Sequence, residues 1–463
     1  MEFGWNTLWF IIGVSLLVTV HEFGHFWVAR RLGFKVQRFS VGFGKPLFKK
    51  VGGAPDHTEY VIAMLPLGGY VRMLDEREGK VDAADLPRAF GSKPPWQRIL
   101  VMLAGPAANI IFAVLLLWGI FLFKDITTFT PVIGEVTAKS VAAAAGLRSG
   151  DRILAIDGET VRDRSDASLG LFDSISDDGS ALVRVRGEDG HEREINIAVE
   201  DPDQRHKLTE PYQLNRGLGF EFWLPTVPAR LDKVEPDGPA GKAGFKPGDV
   251  VTSLDGTPVR SFGEFRSYVI ARPDTEILIG VRRDGNEFSQ RVRTISEQIE
   301  GKAIGRLMIA GPEDLEQFMP ENMKVHAEPG VLASLDAAVS KSWQMTVAQA
   351  KFFVRMFTGK VSTKNISGFI SIADAAGEAA RAGTSDFLMI LVLLSLSLGF
   401  LNLLPIPILD GGQIVFQLAE WAKGGPLSER TYLVGQQAGL VLLVLLMGLA
   451  LFNDLSRYFG AHS

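Results

Sequence analysis

The sequence contains no cysteine, which excludes disulfides and every thiolate metal site. Histidine is scarce, at 7 of 463 residues, so imidazole chemistry has few positions to draw on. An excess of positive charge is missing too. The formal net charge of −5 offers no electrostatic footprint for nucleic acid, and none is expected as a partner. Lys and Arg are absent before Arg30, so the apolar opening stretch lacks the basic start of a secretory signal and is expected to be retained. Apolar residues are what the chain has in quantity. They make up 46% of it, and the mean hydropathy of +0.15 fits membrane helices joined to a sizeable polar part.

Four apolar stretches have the length of a bilayer-crossing helix: 1–29, 99–124, 386–410 and 431–453. Orientation follows from the loops. Residues 30–98 carry thirteen Lys and Arg, so this loop is expected in the cytoplasm, with both termini and the segment after the second helix outside.

The first stretch ends in His21-Glu22-Phe23-Gly24-His25. On a helix this pattern sets two imidazoles one turn apart on one face, able to hold Zn²⁺, with Glu22 beside them as general base. Ionisable side chains inside a membrane helix are costly, which favours function over chance. Soluble zinc peptidases take their third ligand from nearby sequence. Here no histidine follows in Phe26–Arg31, and no Glu occurs between Glu22 and Glu59. The third stretch instead closes in Asn402-Leu-Leu-Pro-Ile-Pro-Ile-Leu-Asp410-Gly-Gly412. Pro405 and Pro407 break the helix there, and Asp410 is a candidate ligand or proton carrier. The first and third helices run in the same direction, so Asp410 is expected at the depth of His21 and His25. Two histidines, a carboxylate and a position left to water are what one catalytic Zn²⁺ per chain needs. His57, His191, His206, His326 and His462 stand in polar surroundings and read as surface residues.

Residues 30–98 mix β-formers with glycine: Gly42, Phe43 and Gly44, then Gly68, Gly69 and Tyr70. They read as strands against or within the membrane, whose edge would pair with an unwound substrate peptide; a small cytoplasmic β-domain is the other reading. Between 126 and 310 an Ala-Gly-x-x-x-Gly-Asp…Asp-Gly pattern occurs twice, at 145–158 and 243–256, offset by 98 residues. Two copies of one small domain follow, at 126–221 and 222–310. Each is expected to hold a short helix ending at glycine, a strand, and a turn at Asp-Gly. The pattern resembles a permuted PDZ domain, with Gly217-Leu218-Gly219-Phe220 as its carboxylate-binding loop and 303–306 as the poorer second copy. Such a pair either binds peptide or serves as a steric filter. Residues 330–358 read as an amphipathic helix on the outer membrane surface or as one packed in the extracytoplasmic part.

With these motifs together, and with Gly68–Asp75, Ala104-Gly-Pro-Ala-Ala-Asn109 and Leu442–Asp454 beside them, the chain resembles the site-2 protease family of intramembrane zinc metalloproteases in its tandem-PDZ bacterial form. The resemblance implies a polytopic α-helical membrane protein with four spans, a membrane-associated β-hairpin region and two extracytoplasmic PDZ domains of α+β type. It implies Zn²⁺ on His21, His25 and Asp410, Glu22 as base, and Asn402 positioning substrate. It further implies the bacterial inner membrane as location, with termini and PDZ domains periplasmic. Expected substrates are single-pass membrane proteins of the anti-sigma-factor type, already trimmed on the periplasmic side, and signal-peptide remnants. Ser397 and Gln413 depart from the pattern, where a second Asn and a His are common. A catalytically silent adaptor would be expected to carry damaged motifs, and both are intact. A zinc transporter would need a second polar helix face.

Overall fold

A computed structural model describes residues 2–460, apart from 78, 124–126, 211–212, 300–301, 313–315 and 327–329. The chain forms two compact units. One comprises Met1–Asp125, Ala327–Gly359 and Thr363–Asp454; the other comprises Ile126–His326, Lys360–Ser362 and Leu455–Ser463. His462 lies outside the described residues.

Among the described residues, the first unit is built on four helices long and apolar enough to cross a membrane: Gly4–Arg31, Pro95–Phe123, Thr384–Asn402 and Glu429–Arg457. Their contacts give the directions. Trp9 meets Phe387, with ring centroids 4.7 Å apart, and Gly13 faces Leu391, so the first and third apolar helices run parallel. Gly24 lies against Ala104 and Ala108, while His21 lies beside Asn109, so the second runs against the first. The fourth packs through Gly435 on Phe416 and Gly439 on Pro407. Near its end, Asp454 accepts from the backbone amides of Gly368, Ile370 and Ser371. It thereby satisfies donors that open the helix Phe369–Ala382.

The helix Val331–Phe357 packs against two of the apolar helices. Its Ser334 hydroxyl donates to the Phe121 carbonyl oxygen at 3.3 Å. Ala338 is fully buried with Leu117 and Val392. Gln349 donates to the Ser397 hydroxyl at 3.1 Å, and Phe353 meets Phe400. These contacts run from Ser334 to Phe353, so the helix packs against both the second and the third apolar helices. Small residues on its inner face, Ala338 and Ser342, permit the approach.

Residues 36–73 form two strands, Val36–Val51 and Glu59–Met73, each bent so that it pairs twice. Residues 38–41 lie between 69–72 on one side and 59–62 on the other, and 59–62 also pair with 48–51. The sheet therefore has four rungs, with 69–73 and 46–51 as its edges. Gly42 and Gly44, at φ of 91° and 89°, make the bend in the first strand.

The second unit holds the two repeats. Their sheets share one antiparallel order, with the strand Arg152–Ile156 between Glu159–Thr160 and Ser180–Arg186, and Val250–Leu254 between Thr257–Pro258 and Glu276–Arg283. Core residues correspond at the same offset: Ile133, Ala142, Ile153, Ala167 and Leu171 with Leu231, Ala240, Val251, Phe265 and Val269. Asp157 and Asp255 both take left-handed φ before a glycine, 50° and 46°, and both accept from a strand amide, Leu182 and Leu278.

The correspondence then shifts, and one sequence expectation is corrected. Val136 pairs with Phe220, and its counterpart Val234 pairs with Ile309. Hence Arg306-Leu307-Met308-Ile309, not residues 303–306, matches Gly217–Phe220, at an offset of 89 (309 against 220). Met308, with φ of 56°, occupies the left-handed position that Gly219 holds at 83°. A hairpin, Ile295–Ile299 with Lys302–Arg306, replaces the two short helices Pro202–Leu208 and Leu214–Leu218, which accounts for the change of offset.

Asp249 anchors the second repeat from a fully buried position. Burial alone would raise its pKa. Two bonds from the Arg283 guanidinium and one from the Lys246 amide outweigh that and hold it below the ordinary carboxylate value. A depressed folded pKa stabilises at pH above the unfolded value of about 3.9, and the contribution is lost as pH falls through the lower folded value. Asp249→Asn is expected to lower the stability of this repeat by about 2–4 kcal/mol at neutral pH. Hydrogen exchange in strand Val250–Leu254 measures it; acidification below pH 4 is expected to narrow the gap to wild type.

Candidate metal centre

The two histidines are presented by an unbroken helix, one turn apart, with Phe23 and Trp27 outward and the imidazoles buried. Their ring nitrogens face each other, Nε2 to Nε2 at 3.2 Å. Asp410 reaches the same point from the start of the helix Asp410–Lys423. Its Oδ2 lies 3.1 Å from His21 Nε2 and 3.4 Å from His25 Nε2. Among the described residues this is the group of His, Asp and Glu whose ligand atoms converge, all within 4.8 Å.

Backbone packing makes the convergence possible. A Cβ on Gly105 would collide with both imidazoles, and one on Gly24 would collide with the Ala104 carbonyl. Glycine at both positions lets the second helix lie directly under the ring pair. Gly411 and Gly412 play the same part at the break, packed on the carbonyls of Leu403, Leu404 and Ile406. Gln413 then ties the turn by donating to the Pro407 carbonyl at 2.8 Å and accepting from the Tyr432 hydroxyl. The departures at Ser397 and Gln413 thus both make hydrogen bonds.

The donor set fits a zinc ion. His25 Nδ1–H donates to the Val101 carbonyl at 2.7 Å, which leaves the Nε2 lone pair pointing inward. Asp410 Oδ2 is buried without a hydrogen-bond partner among the described residues, a costly arrangement unless a cation completes it. Two nitrogens and one oxygen with room for water match the N/O preference of catalytic zinc.

A cavity of about 250 Å³ opens at this point, lined by His21, Glu22, His25, Tyr70, Asn402 and Asp410, with Val71, Met73, Met102, Ile408 and Leu409. Gly69 brings the edge strand onto Glu22, where a Cβ would lie 3.0 Å from the Glu22 Cγ. Gly42, Phe43, Gly44 and Gly68 do not line the cavity. Phe43 stacks on Tyr70, with centroids 6.2 Å apart, and Gly68 gives Phe43 its space. Val71 and Met102 are not legible as site residues in the sequence, because their apolar side chains carry no chemical signal. Val101 acts through its backbone and is equally silent, whereas Asn109, a buried Asn in an apolar helix, is itself a signal.

The repeats hold the other candidate residues. Leu218 and Phe220 are core side chains. Gly217 and Gly219 donate their amides to the carbonyls of Gln213 and Asn215, so a peptide carboxylate would have to displace those bonds. His57, His191 and His206 are exposed.

Gly105→Ala is expected to push the second helix off the imidazoles at a cost of about 1–3 kcal/mol. Zinc affinity of the purified chain should fall about tenfold or more, measured by competition with a chelator, with the apolar helices still inserted.

Residues 9–446 match peptidase family M50. The regulator of sigma-E protease RseP of Escherichia coli (strain K12) is 38% identical over 459 residues, covering 99% of this chain and 100% of its own. A protein of Neisseria meningitidis serogroup A whose name includes the words "zinc metalloprotease" is 38% identical over 458 residues, covering 97% of this chain and 99% of its own. A solved PDZ domain of an SdrC-like protein from Listeria monocytogenes covers 20% of this chain and 96% of its own, at 20% identity and a TM-score of 0.17; at that distance it says nothing of the repeats. Relatives of protease name run alongside this sequence almost from end to end, and what they share with it includes the helices that build the centre: the chain belongs to peptidase family M50 and is a zinc metalloprotease.

Proposed function

We propose that this protease cuts peptide bonds inside the bilayer, within the membrane segments of single-pass proteins. The observation that carries the reading is the convergence of His21, His25 and Asp410, with Glu22 alongside, between helices apolar enough to span a membrane. Zinc on the first three would supply Lewis acidity and make water nucleophilic near neutral pH. Glu22, which lines the cavity together with Asn402, takes the proton of the attacking water and returns it to the leaving amine. Asn402 donates to the substrate carbonyl and fixes its orientation.

A peptide bond in a helix is shielded by its own hydrogen bonds, so the substrate must first unwind. Residues 38–41 and 59–62 are paired on both sides, which leaves 69–73 as the edge beside the cavity. A substrate strand added there satisfies the donors and acceptors that unwinding exposes, and Tyr70, Val71 and Met73 become its contact residues.

The chain sits in the bacterial inner membrane with one zinc ion, and its termini and two PDZ-type repeats are periplasmic. Its substrate is an anti-sigma factor already trimmed outside, with signal-peptide remnants as a second class. The name of the E. coli relative, which ties it to sigma-E, supports this choice. The repeats act as a size filter more readily than as peptide binders, because the amides of Gly217 and Gly219 are already engaged.

Glu22→Gln is expected to retain zinc and to lower cleavage of a helical transmembrane peptide by at least about a thousandfold, read by gel shift in detergent. Intact turnover in that variant refutes the base. Asp410→Asn is expected to lose zinc during purification, seen by elemental analysis, and a full zinc complement would remove Asp410 from the ligand set.

A further inference from the structure

Asn109 is fully buried in the second apolar helix. No side chain of its kind belongs there for packing alone, since an unsatisfied amide in an apolar interior costs about 1–3 kcal/mol. Its amide lies against His21, with Nδ2 placed 3.3 Å from Nδ1 of the ring, and its Oδ1 has no partner among the described residues. The two imidazoles are therefore served alike by this helix. His25 Nδ1–H is held by the Val101 carbonyl, and His21 Nδ1 by Asn109 two turns further along.

The chemistry decides which amide atom faces His21. Donation by Nδ2 would require a lone pair on Nδ1 and hence a proton on Nε2. That proton would point at His25 Nε2, 3.2 Å away, and at Asp410 Oδ2, 3.1 Å away. It would occupy the place of the metal. With the amide turned over, Oδ1 accepts from Nδ1–H and leaves Nε2 as a lone pair. The amide's two ends have nearly the same shape.

Resting on the zinc ligation proposed above, we infer that Asn109 is a positioning residue for zinc: through Oδ1 it fixes the tautomer and the ring plane of His21. Its backbone is pinned in turn, because the Ser395 hydroxyl donates to the Asn109 carbonyl oxygen at 2.8 Å. That bond ties the orienting residue to the helix that ends at Asn402. Acceptors of this kind behind a metal-bound histidine contribute about 10–100-fold to metal affinity.

The test compares zinc affinity, by chelator competition on the full chain in detergent, for wild type, Asn109→Asp and Asn109→Leu. Asp keeps the acceptor and the shape but cannot donate; Leu keeps the bulk only. The expected result is a loss of about 10–100-fold for Leu and an affinity for Asp within about threefold of wild type or tighter. Such rescue would not follow from a packing role. Wild-type affinity in Asn109→Leu would overturn the inference, as would equal losses in Leu and Asp, and in either case the zinc ligation would stand. A wild-type chain that binds no zinc would overturn both.

Discussion

The centre depends on two helices touching where neither has a side chain. Gly24 of the first lies on the Ala104 backbone, and Gly105 of the second lies beneath the two imidazoles. Add a methyl group at either place and the helices part, the rings lose the floor that orients them, and the Val101 carbonyl and Asn109 amide move out of reach. In a bilayer, where burial of apolar surface gives little drive to helix association, such close approach is a main source of contact. The glycine inside HEFGH thus belongs to the site as much as its histidines do.

The third apolar helix completes the centre by stopping. Its register against the first, with Trp9 at Phe387 and Gly13 at Leu391, carries Asn402 to the depth of the histidines. The break at Pro405 and Pro407 then returns Asp410 as the first residue of a new helix. Irregular backbone is costly in lipid unless it lines a cavity, and here it does. The bent sheet comes against Glu22 at Gly69. Three elements that are ordinary apart, a helix pair, a helix break and a sheet edge, become a site where they meet.

Much of this was legible in the sequence because its chemistry is costly out of place. His21, Glu22 and His25 in an apolar stretch, and Asp410 behind two prolines, stand out for that reason, and they are the residues the fold gathers. The repeats were legible from glycines and aspartates that demand particular backbone angles. Where a residue adopts the angle without being glycine, the signal fails: Met308 takes the left-handed turn, and the end of the second repeat was misplaced. The double pairing of residues 36–73 was hidden because alternation marks strands but not how a bent strand folds back. The packing of the helix Val331–Phe357 was hidden because Ala338 and Ser342, which let it approach its neighbours, look neutral in the sequence. Asn109 carries its signal more quietly, as a single amide in an otherwise apolar helix.

Anomalous diffraction at the zinc edge from crystals of the full chain tests the central claim most directly. One zinc peak is predicted within about 2.0–2.2 Å of His21 Nε2, His25 Nε2 and an Asp410 carboxylate oxygen. A peak bound elsewhere, or one that leaves Asp410 outside the coordination sphere, would contradict the account.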